Sequence, residues 1–517
     1  LFAGEGSLRM KVFAAIYIGS YEASLKIFEI AAKKGAREID HVRARVEIGK
    51  ESYQKGYIGH ELLEEISGIL SGYRKIMEGY RTDDYMAYAG GMFKGIKNEL
   101  FVLDQLFIRT GIRIQVPSNS ERRFISYKSV AFQPEFEEMI KQGTAVIDVG
   151  GGSLQMTLFS GGKAALTQHM GLGSMRLREK LSSVEHAVTH YETQLEEMVN
   201  KELEVFKAMY LKELQMKYVI FTGEYIMELM KKVEKKGNRI VSSEKFVKAM
   251  RKLYRKNARQ IAAELDMPNE NDPLLVPYIV IYTRIAEEFN AEEIWAPGVS
   301  VSDGMAYDYA EKNRMIKPAH EFDEDILSAA RQLSKRFAGF SPHIEALSKM
   351  SALIFDAMKK AHGLGKRERL LLQTAAILHD CGKYVSLANA PECAYHIIME
   401  SEIIGLAHLE REIVACTVLY NTYPLADYDK LSDRLDEKSY MTVAKLAAIL
   451  RVSNAMDRSH KQKFKNVKAA VRGKQLVITI VTRDDITLEK ELFASKAEFF
   501  ERVFGLKPEI REKRVFS

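Results

Sequence analysis

The sequence predicts an α/β protein built from two related α/β units, followed by an all-helical segment and a small α/β cap. Three observations predict this. "FAAIYIGSYEASLKIFEI" (Phe13 to Ile30) and "AVIDVGGGSLQMTLF" (Ala145 to Phe159) each read as strand, glycine-containing turn, strand, and each leads a run of alternating strand and helix patterns. From Asp323 to about Asn454, nearly every window carries apolar residues at i, i+3, i+4 and i+7, the spacing of helices that bury one face. From Val467, "VKAAVRGKQLVITIVTRDDITLEKELFASKAEFFERVFG" reads strand, strand, helix.

In chain order, Leu1 to Arg9 read as a leader, because "MKVFAAIYIG" from Met10 begins like a buried first strand. A first lobe is expected over 10–135, containing the helical "HELLEEISGILSGYRKIMEGY" and the strand "DDYMAYAG". A second lobe is expected over 136–317. It holds a long amphipathic helix at about 184–214, the strand "KYVIFTG" and the helix "PLLVPYIVIYTRIAEEF". The helical domain is placed at 318–464 and the cap at 465–517, with the firmest boundary at Lys317-Pro318.

Composition narrows the class. A chain of 517 residues exceeds what one hydrophobic core normally serves. Its 46% hydrophobic and 28% charged residues are those of an ordinary globular protein. No apolar run approaches the roughly 20 residues of a membrane helix, so no membrane partner is expected. The net charge of +6, from 76 basic and 70 acidic residues, suits a polyanionic ligand but does not indicate nucleic acid. The cysteines, Cys381, Cys393 and Cys416, are odd in number and lack CxxC spacing, as expected of reduced thiols in a cytoplasmic protein.

The second glycine turn has a plain chemical use. Main-chain N–H groups of Gly150, Gly151, Gly152 and Ser153 can converge on phosphate oxygens with no Cβ in the way. Asp148, just before them, can hold a divalent cation against the same oxygens. Hydrolysis of a phosphoanhydride then needs a further carboxylate to orient or deprotonate water.

"VIDVGGGSLQMTLF" and "FAAIYIGSYEASLKIFEI" resemble the two phosphate loops of the Ppx/GppA family, the exopolyphosphatases and guanosine pentaphosphate phosphohydrolases; "ISGILSGYRKIM", "YVIFTG" and "VSDGMAYD" follow in the family's order. The resemblance implies two RNase H-like lobes of the actin-like, sugar-kinase-like ATPase superfamily. It implies phosphate contacts from Gly19, Ser20 and Gly150 to Ser153, and Mg²⁺ or Mn²⁺ at Asp148. It further implies polyphosphate or a phosphorylated guanine nucleotide as substrate, and a homodimer. The chain also departs from the family pattern. Tyr17 stands for a metal-binding aspartate of the first loop, Ala306 for an arginine, and Lys94 for another. In the turn "VPSNSERRFISYKSV", one register puts Glu121 in the place of the catalytic glutamate, and the gapless register puts Arg122 there. Glu121 also reads as an acid at a helix start capped by Ser118 or Ser120.

In the helical part, His343, the adjacent His379 and Asp380, and Asp457 follow the order and local context of an HD-domain metal site, which they resemble. Imidazole with carboxylate suits a divalent metal that activates water for phosphoester hydrolysis. Ala390, Pro391, Cys393 and Asn421 stand where that resemblance implies further histidines, so a single metal is expected. Three functions remain open on the sequence: exopolyphosphatase-like hydrolysis, a catalytically impaired polyphosphate- or nucleotide-binding regulator, and a phosphohydrolase of the helical domain.

Overall fold

The structure, a computed structural model, describes residues 10–32, 35–181, 191–212, 214–234, 238–266 and 274–513. The leader expected at residues 1–9 lies outside them. The chain forms two compact units, the first ending at Glu321 and the second beginning at Phe322.

The first unit contains two sheets with one repeated plan. In the first sheet, β1 (Met10–Ile18), β2 (Glu22–Ala31) and β3 (Gly35–Arg45) form an antiparallel meander, and β4 (Asp84–Ala89) returns parallel to β1. The order is β3-β2-β1-β4. In the second, β5 (Thr144–Val149), β6 (Leu154–Ser160) and β7 (Lys163–Met170) repeat the meander, and β8 (Tyr218–Gly223) lies parallel to β5. Short strands β9 (Ile240–Ser242) and β10 (Glu293–Trp295) extend that sheet to the order β7-β6-β5-β8-β10-β9. The duplication read from the two glycine hairpins is thus a duplication of topology. Each parallel return is made through helices, as a parallel pair requires. The strands of the two hairpins are nearly continuous in apolar residues because both faces are covered. Phe13 to Ile16, and Ala145 with Ile147, are at most 0% exposed.

Helix Asn119–Ala131 packs along helix Val301–Lys312; the latter lies against the first sheet and the former reaches β5 of the second. Two buried ion networks fasten these parts. Lys128 Nζ lies 2.8 Å from Asp308 Oδ1 and 2.6 Å from Glu311 Oε2. Lys26 Nζ on β2 lies 2.8 Å from Asp303 Oδ2. Gly304 lets the two helices approach, since a Cβ there would stand 1.9 Å from the carbonyl oxygen of Ile125. The helix expected over about 184–214 is described from Tyr191 to Phe206 and runs into a π-helical turn at Lys207–Leu211.

The second unit is helical, with helix Lys366–Leu378 central; Leu372, Ala375, Ala376, Ile377 and Leu378 are all fully buried in its core. The cap adds β11 (Lys465–Arg472), β12 (Gln475–Val481) and β13 (Lys507–Glu512). β11 and β12 form a hairpin, and β13 lies parallel to β12 after the crossover helix Thr487–Phe504. Leu476, Ile478, Phe493 and Phe500 belong to the same core as the helices, so helical part and cap share one hydrophobic interior. All three cysteines are free thiols; Cys381 and Cys416 are buried and Cys393 is half-buried. No helix among the described residues is long and apolar enough to cross a membrane.

Candidate functional site

The repeated topology brings the two glycine turns together. Tyr17 is the next-to-last residue of β1 and Asp148 the next-to-last of β5, so they hold equivalent positions in the two sheets. The turns that follow touch: a Cβ on Gly151 would lie 3.3 Å from Ser20 Oγ. Each turn is closed from within, because Gly19 N–H donates to the Glu22 carbonyl (2.7 Å) and Gly150 N–H to the Ser153 carbonyl (3.0 Å). Those two amides are therefore used inside the hairpins. An anion at the turns would instead meet the main chain of Ser20 and of Gly151 to Ser153. Gly173 supports the second turn from below, where a Cβ would lie 2.3 Å from Gly151 O, Gly152 C and Ser153 N. Helix Ser174–Leu181 is tied on as well, Met175 N–H donating to the Gly151 carbonyl at 2.9 Å.

The start of helix Asn119–Ala131 decides which side chain meets Asp148. Ser118 caps it, accepting from Glu121 N–H at 3.2 Å, while the Glu121 carboxylate accepts from Ser118 N–H at 2.8 Å. This reciprocal box satisfies two main-chain donors at once and fixes the phase of the first turn. Glu121, the sequence candidate for the water-activating base, is exposed and committed to the cap. Its neighbour Arg122 turns inward, with Nη1 3.7 Å from Asp148 Oδ2, both side chains largely buried. The other Asp148 oxygen accepts from Thr222 Oγ1 on β8 at 3.2 Å.

Tyr17 stays a neutral phenol. Burial pushes its pKa up, Arg122 opposes this, and the negative charges of Asp148 and Glu224 add to it. Three further residues at the site escaped the sequence reading. Arg123, buried, donates from Nη2 to Ser153 Oγ at 3.0 Å and contacts His169 Nδ1. The His169 pKa is pushed down to about 3 by burial and by Arg123, Arg122 and Arg176, so its ring is uncharged. Glu224 follows β8 where Tyr225 adopts φ 62°, a conformation few side-chain-bearing residues take. Its Oε2 accepts from Tyr278 Oη at 3.0 Å, and its Oε1 lies 4.0 Å from the Cβ position of Gly19. Of the other positions where the chain departs from its resemblance, Ala306 is buried and Lys94 exposed.

These residues do not fit a divalent cation at Asp148. Mg²⁺ or Mn²⁺ wants several oxygen ligands, anionic ones above all. Here one carboxylate oxygen faces a guanidinium, the other takes a hydroxyl proton, and the matching position on β1 offers a neutral phenol.

The comparisons now place the chain. Residues 27–313 match the Ppx/GppA phosphatase family, and residues 328–497 match Ppx/GppA phosphatase, domain III. The chain belongs to the Ppx/GppA phosphatase family. Among solved structures, the Aquifex aeolicus Ppx/GppA family member aligns with 59% of this chain and 99% of its own, at TM-score 0.50 and 18% identity. An exopolyphosphatase from Cytophaga hutchinsonii aligns with 58% and 98%, at TM-score 0.50 and 15% identity. These two establish the fold of this Ppx/GppA protein. A guanosine-5'-triphosphate,3'-diphosphate pyrophosphatase of Aeromonas salmonicida is 27% identical over 179 residues, 34% of each chain. A bifunctional 3-dehydroquinate synthase/phosphatase of Fusobacterium nucleatum is 25% identical over 173 residues, 32% of this chain and 26% of its own. The matches thus span about a quarter to a third of these curated relatives.

The second unit of this Ppx/GppA chain brings together the histidines and aspartates singled out in its sequence. His343 Nδ1 lies 2.8 Å from Asp457 Oδ2, and His379 Nδ1 donates to the Ala376 carbonyl at 2.8 Å. With both Nδ1 atoms engaged by these partners, the two rings turn their Nε2 atoms inward, and these face each other at 3.2 Å. Asp380 Oδ1 lies 3.2 Å from His379 Nε2. One ligand atom each from His343, His379 and Asp380 falls within a span of 4.8 Å. Asp457 stands behind this group, holding His343, and its own oxygens accept from Gln462. It is not among the three residues whose atoms fall within that span. Burial lowers the His379 pKa to about 4 despite Asp380, keeping the ring neutral. Lys383 Nζ lies 2.7 Å from Asp380 Oδ1.

Proposed function

We propose that the cleft between the two glycine turns receives a linear phosphoanhydride, polyphosphate or guanosine pentaphosphate, and that cleavage there is strongly attenuated. Family membership supports the ligand class. One observation carries the attenuation: Arg122, and not a carboxylate, stands against Asp148, while Glu121 is held in the helix cap. Loss of a general base alone typically slows a reaction about 100- to 10,000-fold. The purified chain is expected to retain polyphosphate on a filter while releasing almost no phosphate from polyphosphate, pppGpp or ATP, with Mg²⁺ or with Mn²⁺. Brisk turnover that disappears in Asp148→Ala or Glu121→Ala would overturn the attenuation and restore an exopolyphosphatase-like reading.

A second reading concerns the other unit, favoured by the two Nε2 atoms that converge beside the Asp380 carboxylate, within a span of 4.8 Å. His343, His379 and Asp380 would hold one divalent transition metal, which when bound supplies an activated water for phosphoester hydrolysis. Metal analysis of protein loaded with Mn²⁺ is expected to give about one equivalent in the wild type and close to none in His379→Ala or Asp380→Ala. Asp457→Asn is expected to weaken the site roughly 10- to 100-fold, the usual effect of losing an orienting carboxylate. Equal metal content in all four proteins would remove this reading.

A further inference from the structure

We propose that Arg122 does in this chain the work of a bound cation, so that the cleft takes up a phosphoanhydride without any divalent metal. This rests on the reading that such an anion enters there. The argument starts from the equivalence of the two hairpins. Of the two matching positions at the ends of β1 and β5, one carries the Asp148 carboxylate and the other the neutral Tyr17. A single carboxylate whose oxygens already face a guanidinium at 3.7 Å and a hydroxyl at 3.2 Å is a poor ligand for a hard cation.

The positive charge that a polyphosphate needs is nevertheless present, and it is covalently fixed. Arg122 comes from the helix whose capping box at Ser118 and Glu121 sets its direction. Arg123 reaches the second turn itself through Ser153, and Arg176 starts beside that turn, its main-chain N–H donating to the Gly151 carbonyl at 3.2 Å. Three guanidinium groups thus gather around the second glycine turn, against the carboxylates of Asp148 and Glu224. A guanidinium is permanently charged and presents its donors in a planar fork that matches phosphate oxygens two at a time. Arg122 also neutralises Asp148, which would otherwise repel the arriving anion. A metal ion performs both tasks in a conventional phosphate site.

The test is calorimetric titration of the full chain with sodium tripolyphosphate, in excess EDTA and in Mg²⁺. Binding is expected in EDTA, and Arg122→Gln is expected to weaken it roughly 10- to 100-fold, the worth of one charge-assisted hydrogen bond to phosphate. Arg122→Lys, which keeps the charge and loses the fork, is expected to fall between the two, with a melting curve like the wild type. Arg122→Glu, which restores a pair of acids, is expected to bind only when Mg²⁺ is present. Wild-type binding that appears only with Mg²⁺, or binding in EDTA that Arg122→Gln leaves unchanged, would overturn the inference and leave the proposed ligand class standing. Absence of binding under both conditions would overturn the ligand class itself.

Discussion

Gly304→Ala is expected to destabilise the first unit by about 2 kcal/mol or more, although it places a better helix former at the end of the first turn of helix Val301–Lys312. Two effects oppose each other. Replacing an interior glycine by alanine favours a helix by about 1 kcal/mol. Against this, the added methyl would sit 1.9 Å from the Ile125 carbonyl oxygen and 2.8 Å from its carbon. Both are backbone atoms of a packed helix, and neither can rotate away. Overpacking of this kind typically costs about 1–3 kcal/mol and sometimes more, and a main-chain obstacle belongs at the upper end. Trp295, the single tryptophan, is buried on β10 in the same unit, so its fluorescence during urea unfolding reports the loss. Gly68, in helix His60–Gly79, makes the control, because a Cβ there meets nothing within 4 Å. Gly68→Ala is expected to raise the midpoint. A Gly304→Ala midpoint equal to that of Gly68→Ala would mean that the helices yield freely at this crossing.

Lys128→Met is expected to cost about 3 kcal/mol, the lower end of the range for removing one partner of a buried ion pair. Lys128 is almost fully buried, and its ammonium lies between Asp308 and Glu311 at 2.8 and 2.6 Å. Asp308 is buried too, and without Lys128 its ion-pair partner among the described residues is the exposed Lys312 at 2.7 Å. The cost is therefore mainly that of a carboxylate held out of water with half its compensation removed. Lys128→Met combined with Asp308→Leu is expected to recover much of the loss, since replacing both partners by apolar groups removes the desolvation penalty as well. A single substitution that shifts the Trp295 transition by less than about 0.5 kcal/mol would show that water reaches Asp308 and that the network is not buried in effect.

Both substitutions act where helix Asn119–Ala131 is clamped, and that helix is also where the sequence was hardest to read. The two hairpins were legible because glycine turns between apolar alternations have few other uses, and the helical half because its periodicity is long. β9 and β10 have three residues each, too few for any periodicity to show. β13 follows the crossover helix as "KPEIRE", a charged edge with little strand pattern of its own. At the site, Asp148 and the triple glycine are local in sequence and could be found. Arg123, His169 and Glu224 arrive from a helix, β7 and the end of β8, and only the fold makes them neighbours. Glu121 and Arg122 are a different case. "SNSE" is a capping-box pattern, serine with glutamate three residues on, and it contained the answer. A carboxylate that closes the helix start is not facing Asp148, and the next residue is.

Successive residues of an α-helix are set about 100° apart around its axis. The charge presented to Asp148 is therefore an angular quantity, fixed by the serine from which the helix begins to wind. Lengthening the preceding loop by one residue would carry the acid at 121 into the place that Arg122 now holds, without altering a single side chain. A change of loop length alone would thus invert the charge presented to Asp148, and a survey of substitutions would miss the event.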